Sequence, residues 1–361
     1  MSSKKQKHAR KSTSALNGHL KSFFPGTNKP LIDPSELLNL LPDGGEYKKL
    51  IDVATQKTVL PVDVIKVILA EIQKIRGRSV VCYVGNTIRG GSRSSISNED
   101  DLPFNEMIRT IPETEKEIDV ILVTNGGLID QVPKFVNTLR PRFDVVNFIL
   151  PDMCMSAGTL WALSGNSICM RKDSYIGPID PQLPDKTGQY GPIQSLLNLV
   201  HHIQKETDEL LKNGTPLPWT YIQIINQIPY DRLGMSITLT EHAKRIAASY
   251  LREYKFRDWT THSTTGAPVT EQEKSDRADY VAGLLAQNSH WKSHGHCINR
   301  GRAWDELKLK IDRAEDFSGL ESQLRKLIAV FRLTFDDGRI EKFFVSSEYN
   351  LLFFKIEEVA R

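Results

Sequence analysis

The sequence lacks any apolar run long enough to cross a bilayer, which takes about 18 to 20 consecutive apolar residues. Met1 is followed by polar and basic residues, so the start of the chain shows no apolar signal-peptide core. These two absences predict a cytoplasmic protein without a membrane span.

Cysteine is also scarce, with four residues in 361, and none of them forms a C-x-x-C pair. Without a secretion signal, such spacing predicts neither a disulfide framework nor a zinc ribbon, so we expect buried thiols. The P-loop, the G-x-G-x-x-G fingerprint and the H-E-x-x-H helix are missing as well. Nucleotide-binding and zincin functions therefore gain no support, and we expect no cofactor and no metal. The cysteines are Cys82, Cys154, Cys169 and Cys297.

Acidic residues are absent from positions 1–30, which carry seven Lys or Arg residues. This segment is rich in serine and poor in apolar residues, so it cannot bury enough surface to offset the entropy of ordering. We predict a disordered basic arm at 1–30. Its function would be a weak contact with phosphate or an anionic surface, and the alternative is a solvated tail.

Compact β-rich runs predict the centre of the fold. The runs 78–85, 119–124 and 145–150 are apolar on both faces, as expected for parallel strands covered by helices. Helical spacing over 129–139 joins the second and third runs into a βαβ unit. A helix over 156–164 and a strand over 167–170 continue the α/β alternation.

The flanking regions predict additions to this core. We expect a helical N-terminal segment at 31–77, interrupted by a PDGG turn at 42–45. Helices are predicted at 193–211 and at 239–256, the second starting at Thr238 or Thr240, whereas 258–300 is polar and carries no predicted element. The end of the chain predicts a helix, a hairpin with a DDG turn and a last strand. The predicted units are thus 1–30, 31–77, a main domain at 78–310 and a small α+β subdomain at 311–361.

Two glycine-bearing turns follow neighbouring predicted strands. They are TNGG at 124–127 and MSAGT at 155–159. Ligands of open α/β folds bind at the carboxyl ends of parallel strands, so both turns stand where a site is expected.

The residue types in these turns fit acyl transfer. Ser156 would be a nucleophile at a strand-to-helix turn, where the small residues after it let a carbonyl approach. The backbone N–H groups of Gly126, Gly127 and Ala157 would form an oxyanion hole. The alternative is structural, since Ser-Ala-Gly is also an ordinary helix N-cap and Gly-Gly an ordinary turn.

The order and spacing of three runs resemble one known family. ILVTNGG at 121–127, MSAGTLWALSGNSICM at 155–170 and IGPIDPQ at 176–182 are similar to the serine dehydrogenase proteinase family, soluble relatives of signal peptide peptidase A in the Clp protease/crotonase superfamily. The resemblance covers roughly 78–210. It implies an α/β fold built as a Clp/crotonase-like spiral of βαβ units and assembly into homo-oligomers. It also implies Ser156 as the peptidase nucleophile, with Gly126, Gly127 and Ala157 at the oxyanion hole.

The general base is the open part of this prediction. A serine hydroxyl needs a base within hydrogen-bond reach, and no histidine stands where Clp proteases carry one, near Asp180. Relatives of signal peptide peptidase use a lysine 40 to 50 residues downstream, an interval that Lys205 fits best. His201, His202 and Asp180 remain alternatives, and we expect His242 to be structural. The family usually has Thr-Pro-Gly-Gly where this chain has Thr-Asn-Gly-Gly.

A histidine-rich stretch at 290–297 has the residue types of a zinc site. With the serine that precedes it, the stretch reads SHWKSHGHC. Its irregular spacing and the lack of a second ligand pair favour a structural or pocket-lining function. The candidate ligands are His290, His294, His296 and Cys297.

Together these patterns predict an ATP-independent serine peptidase that forms an acyl-enzyme on Ser156 with a peptide or protein substrate. Two other functions stay open. A catalytically silent oligomeric scaffold of the same fold is favoured by the missing base. An acyl-CoA-handling crotonase would use the same oxyanion hole, but the serine at the turn argues against it.

Overall fold

The computed structural model describes residues 29–184, 190–192, 194–228, 230–262, 265–336 and 338–355. The predicted basic arm, apart from its last two residues, lies outside this range. Within it, none of the helices has both the length and the apolar composition that a membrane span requires.

Three helices precede the first strand: α1 (Pro34–Leu40), α2 (Glu46–Gln56) and α3 (Pro61–Arg76). The Asp33 carboxylate caps α1 by accepting the N–H groups of the next turn, and the predicted PDGG turn separates α1 from α2. Gly77 closes α3 in the left-handed conformation that favours glycine.

A seven-stranded sheet forms the centre of the protein, with strand order β10-β5-β3-β2-β1-β11-β12. The pairs within β10-β5-β3-β2-β1 are all parallel. Helices α4, α5 and α6 cross over between successive parallel strands. The predicted α/β fold class with a mainly parallel sheet is therefore confirmed. The elements are β1 (Ser79–Gly85), α4 (Asp101–Arg109), β2 (Glu117–Val123), α5 (Val132–Leu139), β3 (Val145–Leu150), α6 (Ala157–Ala162), β5 (Ser167–Met170) and β10 (Asp312–Arg313).

The sheet is buried on both faces, as the apolar runs predicted. Alternate side chains of β1 enter two different cores, because successive residues of a strand point to opposite faces. Tyr83 packs among the aromatic rings of Phe135 and Trp161 under α4 to α6. Cys82 and Val84 face the other core, which contains α1 to α3.

The C-terminal elements extend this same sheet. Helix α13 (Leu320–Phe335) packs on α2 and α3, and β11 (Ile340–Val345) pairs antiparallel with β1 and with β12 (Asn350–Phe354). The predicted hairpin position was wrong. The helix continues to Phe335 with Asp336 as its C-cap residue, and the hairpin turn lies between Val345 and Asn350. The division of the chain into separate domains stays a prediction.

Helices also fill the second half of the main domain: α7 (Gln194–Lys212), α8 (Trp219–Gln227) and α9 (Tyr230–Tyr250), which runs on into a π-helical turn at Leu251–Lys255. Helix α9 begins before the predicted threonines, which lie within it. The stretch 258–300 contains a helix that we did not predict, α10 (Glu271–Leu285). A capping box of Thr270 and Glu273 starts it, a T-x-x-E signal that was readable in the sequence.

Short strands complete the fold. A three-stranded sheet has the order β4-β6-β9, and a two-stranded sheet pairs β7 with β8. The short elements are β4 (Met153–Cys154), β6 (Tyr175–Ile176), β7 (Gln182–Pro184), β8 (Tyr190–Pro192), α11 (Asn288–Trp291), β9 (Ile298–Asn299) and α12 (Arg300–Asp305). The small sheet positions the candidate site.

Candidate active site

The two glycine-bearing turns lie side by side at the carboxyl ends of β2 and β4. The Thr124 N–H donates to the carbonyl of Met153 at 3.1 Å, and the Met155 N–H donates to the carbonyl of Thr124 at 2.9 Å. This pairing places the segment after β2 beside the segment that carries Ser156.

Ser156 stands at the turn into α6 in a sparsely populated backbone conformation, with φ 52° and ψ −119°. An ordinary N-cap residue has an extended backbone, and its side chain accepts a helix N–H. Ser156 has neither feature, because its φ is positive and its side chain makes no capping hydrogen bond. Strained residues of this kind persist where the surrounding structure holds them, and a strained strand-to-helix turn is how α/β-hydrolases expose a nucleophilic serine.

Gly126 makes the close approach to Ser156 possible. A Cβ atom on Gly126 would lie 2.6 Å from Ser156 Cβ, and the backbone of Gly126 has φ +100°. Gly127 is equally confined, since its Cβ would lie 2.2 Å from the carbonyl oxygen of Ile96. Both glycines are therefore required by space, whereas an ordinary turn would require them for conformation alone.

The backbone donors at this turn differ in availability. The Gly126 N–H already donates to Thr124 Oγ1 at 3.0 Å. Ala157 is the first residue of α6, and the first N–H groups of a helix have no acceptor within it. Among the described residues, the hydrogen bonds around the turn leave the N–H groups of Gly127 and Ala157 unused.

Cys154, two residues before Ser156, is a thiol that the site does not use. Its side chain is completely buried, and burial raises its pKa well above the usual range. The thiol stays protonated and cannot compete with the hydroxyl as a nucleophile. Cys82 and Cys169 are buried as predicted, but Cys297 is exposed because it lies on the surface segment before β9.

Thr159 connects the start of α6 to the IGPIDPQ run through hydrogen bonds of its hydroxyl. Its hydroxyl donates to the carbonyl of Cys154 at 2.8 Å and accepts the N–H of Gly177 at 3.0 Å. A Cβ on Gly177 would lie 2.4 Å from the terminal carbon of Met155. The run after β6 therefore packs directly against the segment that carries the serine.

The small sheet brings two further polar residues to the same end. Cys154 of β4 is aligned with Ile176 of β6 in a parallel pair, and Ile176 is aligned with Ile298 of β9 in an antiparallel pair. Ser156 and Asp180 both follow this row along parallel strands, whereas His294 precedes it on the antiparallel strand. The register therefore places the segments that lead to these three residues at the same end of the small sheet.

Asp180 and His294 form a pair at this end. The fully buried carboxylate of Asp180 contacts His294 Nδ1 at 2.8 Å with one oxygen and accepts the Asn288 amide at 2.9 Å with the other. In the described part of the chain, the second ring nitrogen of His294 has no hydrogen-bond partner. A histidine held at Nδ1 by a carboxylate, with Nε2 open, has the arrangement of an oriented general base. The sequence named both residues but gave no signal that they meet.

The other candidate bases are placed differently. Lys205, His201 and His202 lie on α7 with exposed side chains. Exposure removes the desolvation by which a lysine base is made neutral. His242 has both ring nitrogens engaged, with Asp130 Oδ1 at 3.3 Å and with Arg245 at 3.3 Å.

Each histidine of the histidine-rich stretch contacts a different residue. His290 contacts Glu306 at 2.8 Å, His294 contacts Asp180, and His296 contacts Arg302. Within the described residues, no group of three potential ligands forms that could hold a metal ion.

Comparison with known proteins connects this geometry to a family. The sequence profile of the ClpP-like SDH-type serine proteinase family matches residues 94–257. The family resemblance is thereby confirmed. The matched segment includes both glycine-bearing turns and Asp180, while His294 lies beyond it.

Two relatives from Methanocaldococcus jannaschii share parts of the sequence. The uncharacterized protein MJ0137 is 36% identical over 114 residues, which are 32% of this chain and 37% of the relative. The uncharacterized protein MJ1495 is 32% identical over 149 residues, which are 40% of this chain and 49% of the relative. The aligned part thus spans less than half the length of each relative.

Two solved structures of mutants of a 1510-N membrane-bound stomatin-specific protease are also similar. The first, a serine-to-alanine mutant, has a TM-score of 0.37 and 13% identity, covering 63% of this chain and 79% of that chain. The second, a lysine-to-alanine mutant in complex with a substrate peptide, has a TM-score of 0.35 and 14% identity, covering 60% of this chain and 70% of that chain. Likeness at these TM-scores is too low to support an assignment of activity.

Proposed function

We propose that this protein is an ATP-independent serine peptidase that cleaves a peptide or protein substrate through an acyl-enzyme on Ser156. The single observation that carries the proposal is the backbone of Ser156, at φ 52° and ψ −119°, with a hydroxyl that caps no helix N–H. No capping hydrogen bond accounts for this strained backbone, and a strained strand-to-helix turn is the arrangement that would present a serine hydroxyl to a substrate. The matched family supports the same reaction class.

The oxyanion hole would use the N–H groups of Gly127 and Ala157. Both stand beside Ser156 and are free of other acceptors among the described hydrogen bonds, whereas the Gly126 N–H is engaged by Thr124. Each such donor stabilises the developing negative charge by about 3 to 4 kcal/mol in other hydrolases. Gly126 would act by leaving room for Ser156.

We assign the general base to His294, oriented by Asp180. Ser156 Oγ attacks the carbonyl carbon while its proton passes to His294 Nε2, and the carbonyl electron pair moves onto the oxygen held by the oxyanion hole. Collapse of this intermediate breaks the C–N bond, and His294 gives its proton to the leaving amine. Water then attacks the acyl-enzyme in the same way and frees the hydroxyl. Lys205 is the alternative base, but its exposure on α7 weighs against it.

Partners beyond the substrate follow from the sequence. We propose a homo-oligomer, and a weak contact of the basic arm with anionic surfaces remains a prediction, as does the cytoplasmic location. The silent scaffold is the alternative that the experiment below distinguishes.

The test is covalent labelling of the purified protein with a fluorophosphonate, with the modified residue identified by mass spectrometry. We expect modification of Ser156 in wild type, loss in Ser156→Ala, and a decrease of at least 100-fold in the labelling rate of His294→Gln. Lys205→Met is the matched control for the base and is expected to label like wild type. A reversed order of His294→Gln and Lys205→Met would transfer the base to lysine. No labelling of a folded wild type would leave the scaffold as the function.

A further inference from the structure

A buried ion pair joins the C-terminal hairpin to a segment beside the candidate site. Lys342 of β11 and Asp100 are both completely buried, with Lys342 Nζ 2.6 Å from Asp100 Oδ1. The other carboxylate oxygen accepts the Tyr83 hydroxyl at 2.7 Å and the Ser97 N–H at 2.8 Å. Burial lowers the pKa of Lys342, and the neighbouring carboxylate opposes this effect. The proposed reaction does not use any of these groups directly.

The pair holds the loop at 91–97 on both sides of Ile96. Lys342 Nζ donates to the carbonyl of Ser95 at 2.6 Å, while Asp100 accepts the N–H of Ser97. The backbone of Ile96 between these two points is consequently fixed in position.

The backbone of Ile96 in turn forms hydrogen bonds on either side of Gly127. Its N–H donates to the carbonyl of Gly126 at 2.7 Å, and its own carbonyl accepts the Leu128 N–H at 2.9 Å. Gly127, the proposed oxyanion donor, lies between these two bonds, and its missing Cβ leaves the space that Ile96 occupies. A displacement of Ile96 would therefore displace Gly127.

A bulge in β11 explains how two consecutive side chains reach the same loop. Side chains of neighbouring strand residues normally point to opposite faces, but the register of β11 against β12 shifts between Ile340 and Lys342. Glu341 accordingly accepts the Arg93 N–H at 2.7 Å while Lys342 contacts Ser95. The hairpin thus contacts the loop through two side chains. It lies outside the segment that the family profile matches.

We propose that Lys342, through its ion pair with Asp100, is a positioning residue that aligns the Gly127 N–H for the reaction. The inference rests on the proposed function for its catalytic consequence. It assigns a part in the site to the C-terminal hairpin, which neither touches the substrate nor supplies a reacting group.

The test compares hydrogen exchange and labelling in wild type and in the double variant Lys342→Met, Asp100→Asn. Both charges are removed together because a single change would leave an unpaired buried charge, which is strongly destabilising. We expect amide exchange in peptides covering 94–97 and 126–131 to become at least tenfold faster. Fluorophosphonate labelling of Ser156 should slow by about 10- to 100-fold, as expected for a misplaced oxyanion donor.

A matched control removes another buried ion pair, which joins α3 to β2 of the same sheet. Arg76 Nε lies 2.5 Å from Asp119 Oδ2, and Asp119 stands near the start of β2, away from its carboxyl end. Arg76→Met, Asp119→Asn is expected to lower the unfolding temperature without changing labelling or exchange at 126–131.

Equal exchange and labelling in wild type and the Lys342 double variant would overturn the inference. Equal slowing of labelling in the two double variants would also overturn it, because loss of stability would then explain both. Absence of labelling in wild type would contradict only the proposed function, since exchange still reports the coupling.

Discussion

At the scale of single residues, the site depends on backbone conformations that side chains normally avoid. Ser156 holds a positive φ although it carries a Cβ, and Gly126 faces it at a distance that no other residue allows. Strain of this kind costs about 1 to 3 kcal/mol per residue and is retained where the fold determines it. The turn at 124–127 and the turn at 155–159 therefore depend on each other.

Gly126→Ala tests this dependence. The new methyl group would meet Ser156 Cβ at 2.6 Å, so we expect the free energy of unfolding to fall by at least about 2 kcal/mol and labelling of Ser156 to be lost. Urea denaturation and the fluorophosphonate reaction measure the two effects. Gly77→Ala is the control, since Gly77 also has a positive φ but nothing within 4 Å of its Cβ position. It should cost about 1 to 2 kcal/mol and leave labelling unchanged. Normal labelling of Gly126→Ala would contradict the described contact.

At the scale of elements, short strands and loops position the candidate site residues, and an ion pair attaches one of these segments to the main sheet. Glu315 accepts a hydrogen bond from Arg300 of α12 at 2.6 Å, next to the edge strand β10. This contact joins the segment after β9 to the sheet. Hydrogen bonding by Arg300 lowers the pKa of Glu315 to about 2.

The lowered pKa predicts a pH dependence of stability. Because the folded protein binds the proton of Glu315 less readily than the unfolded chain, its contribution is complete above about pH 4.3, the ordinary Glu value, and is lost as the pH falls toward 2. Glu315→Gln should therefore unfold at a lower temperature than wild type at pH 6, and the difference should disappear near pH 2.

Thermal unfolding at low salt between pH 6 and about pH 2 measures this difference, which will be small because the Glu315 side chain is 42% exposed. The control is Glu113→Gln, an exposed carboxylate in the turn before β2, which should track wild type throughout. A difference between Glu315→Gln and wild type that stays constant with pH would contradict the prediction.

At the scale of the whole molecule, one helix is unusually apolar for its environment. No residue of α8 is buried, although it carries Trp219, Ile222 and Ile225, and the sequence from 213 to 230 contains no charged residue. Apolar helices are ordinarily covered, and interfacial membrane helices carry a charged, often basic face that α8 lacks. A second copy of this chain is the occupant that agrees with the proposed homo-oligomer.

We expect the mass that sedimentation gives for wild type to exceed 40.9 kDa, the mass of one chain. For Ile225→Glu we expect that mass to shift toward the value of the monomer. A charge placed on an apolar interface must be desolvated, which weakens association. Sedimentation velocity over a range of concentrations measures the shift. Thr220→Glu, on the polar side of α8, is the matched control and should leave the assembly intact. A monomeric wild type would contradict the proposed oligomer.

The sequence by itself determined the elements whose signals are local. The apolar runs of β1, β2, β3 and β5 and the helical spacing between them predicted the parallel sheet, because burial on both faces leaves a continuous apolar pattern. The assignment of Ser156 and its glycines to a site, which rests on small residues after strands, stays a prediction.

Tertiary structure alone decided which distant residues meet. His294 and Asp180 are 114 positions apart, and Lys342 and Asp100 are 242 apart. The antiparallel pairing of β9 with β6 lies beside the first pair, and the antiparallel pairing of β11 with β1 lies beside the second. Such pairings depend on strand order and register, which the hydrophobic pattern of either segment does not contain, so the sequence alone could not predict them.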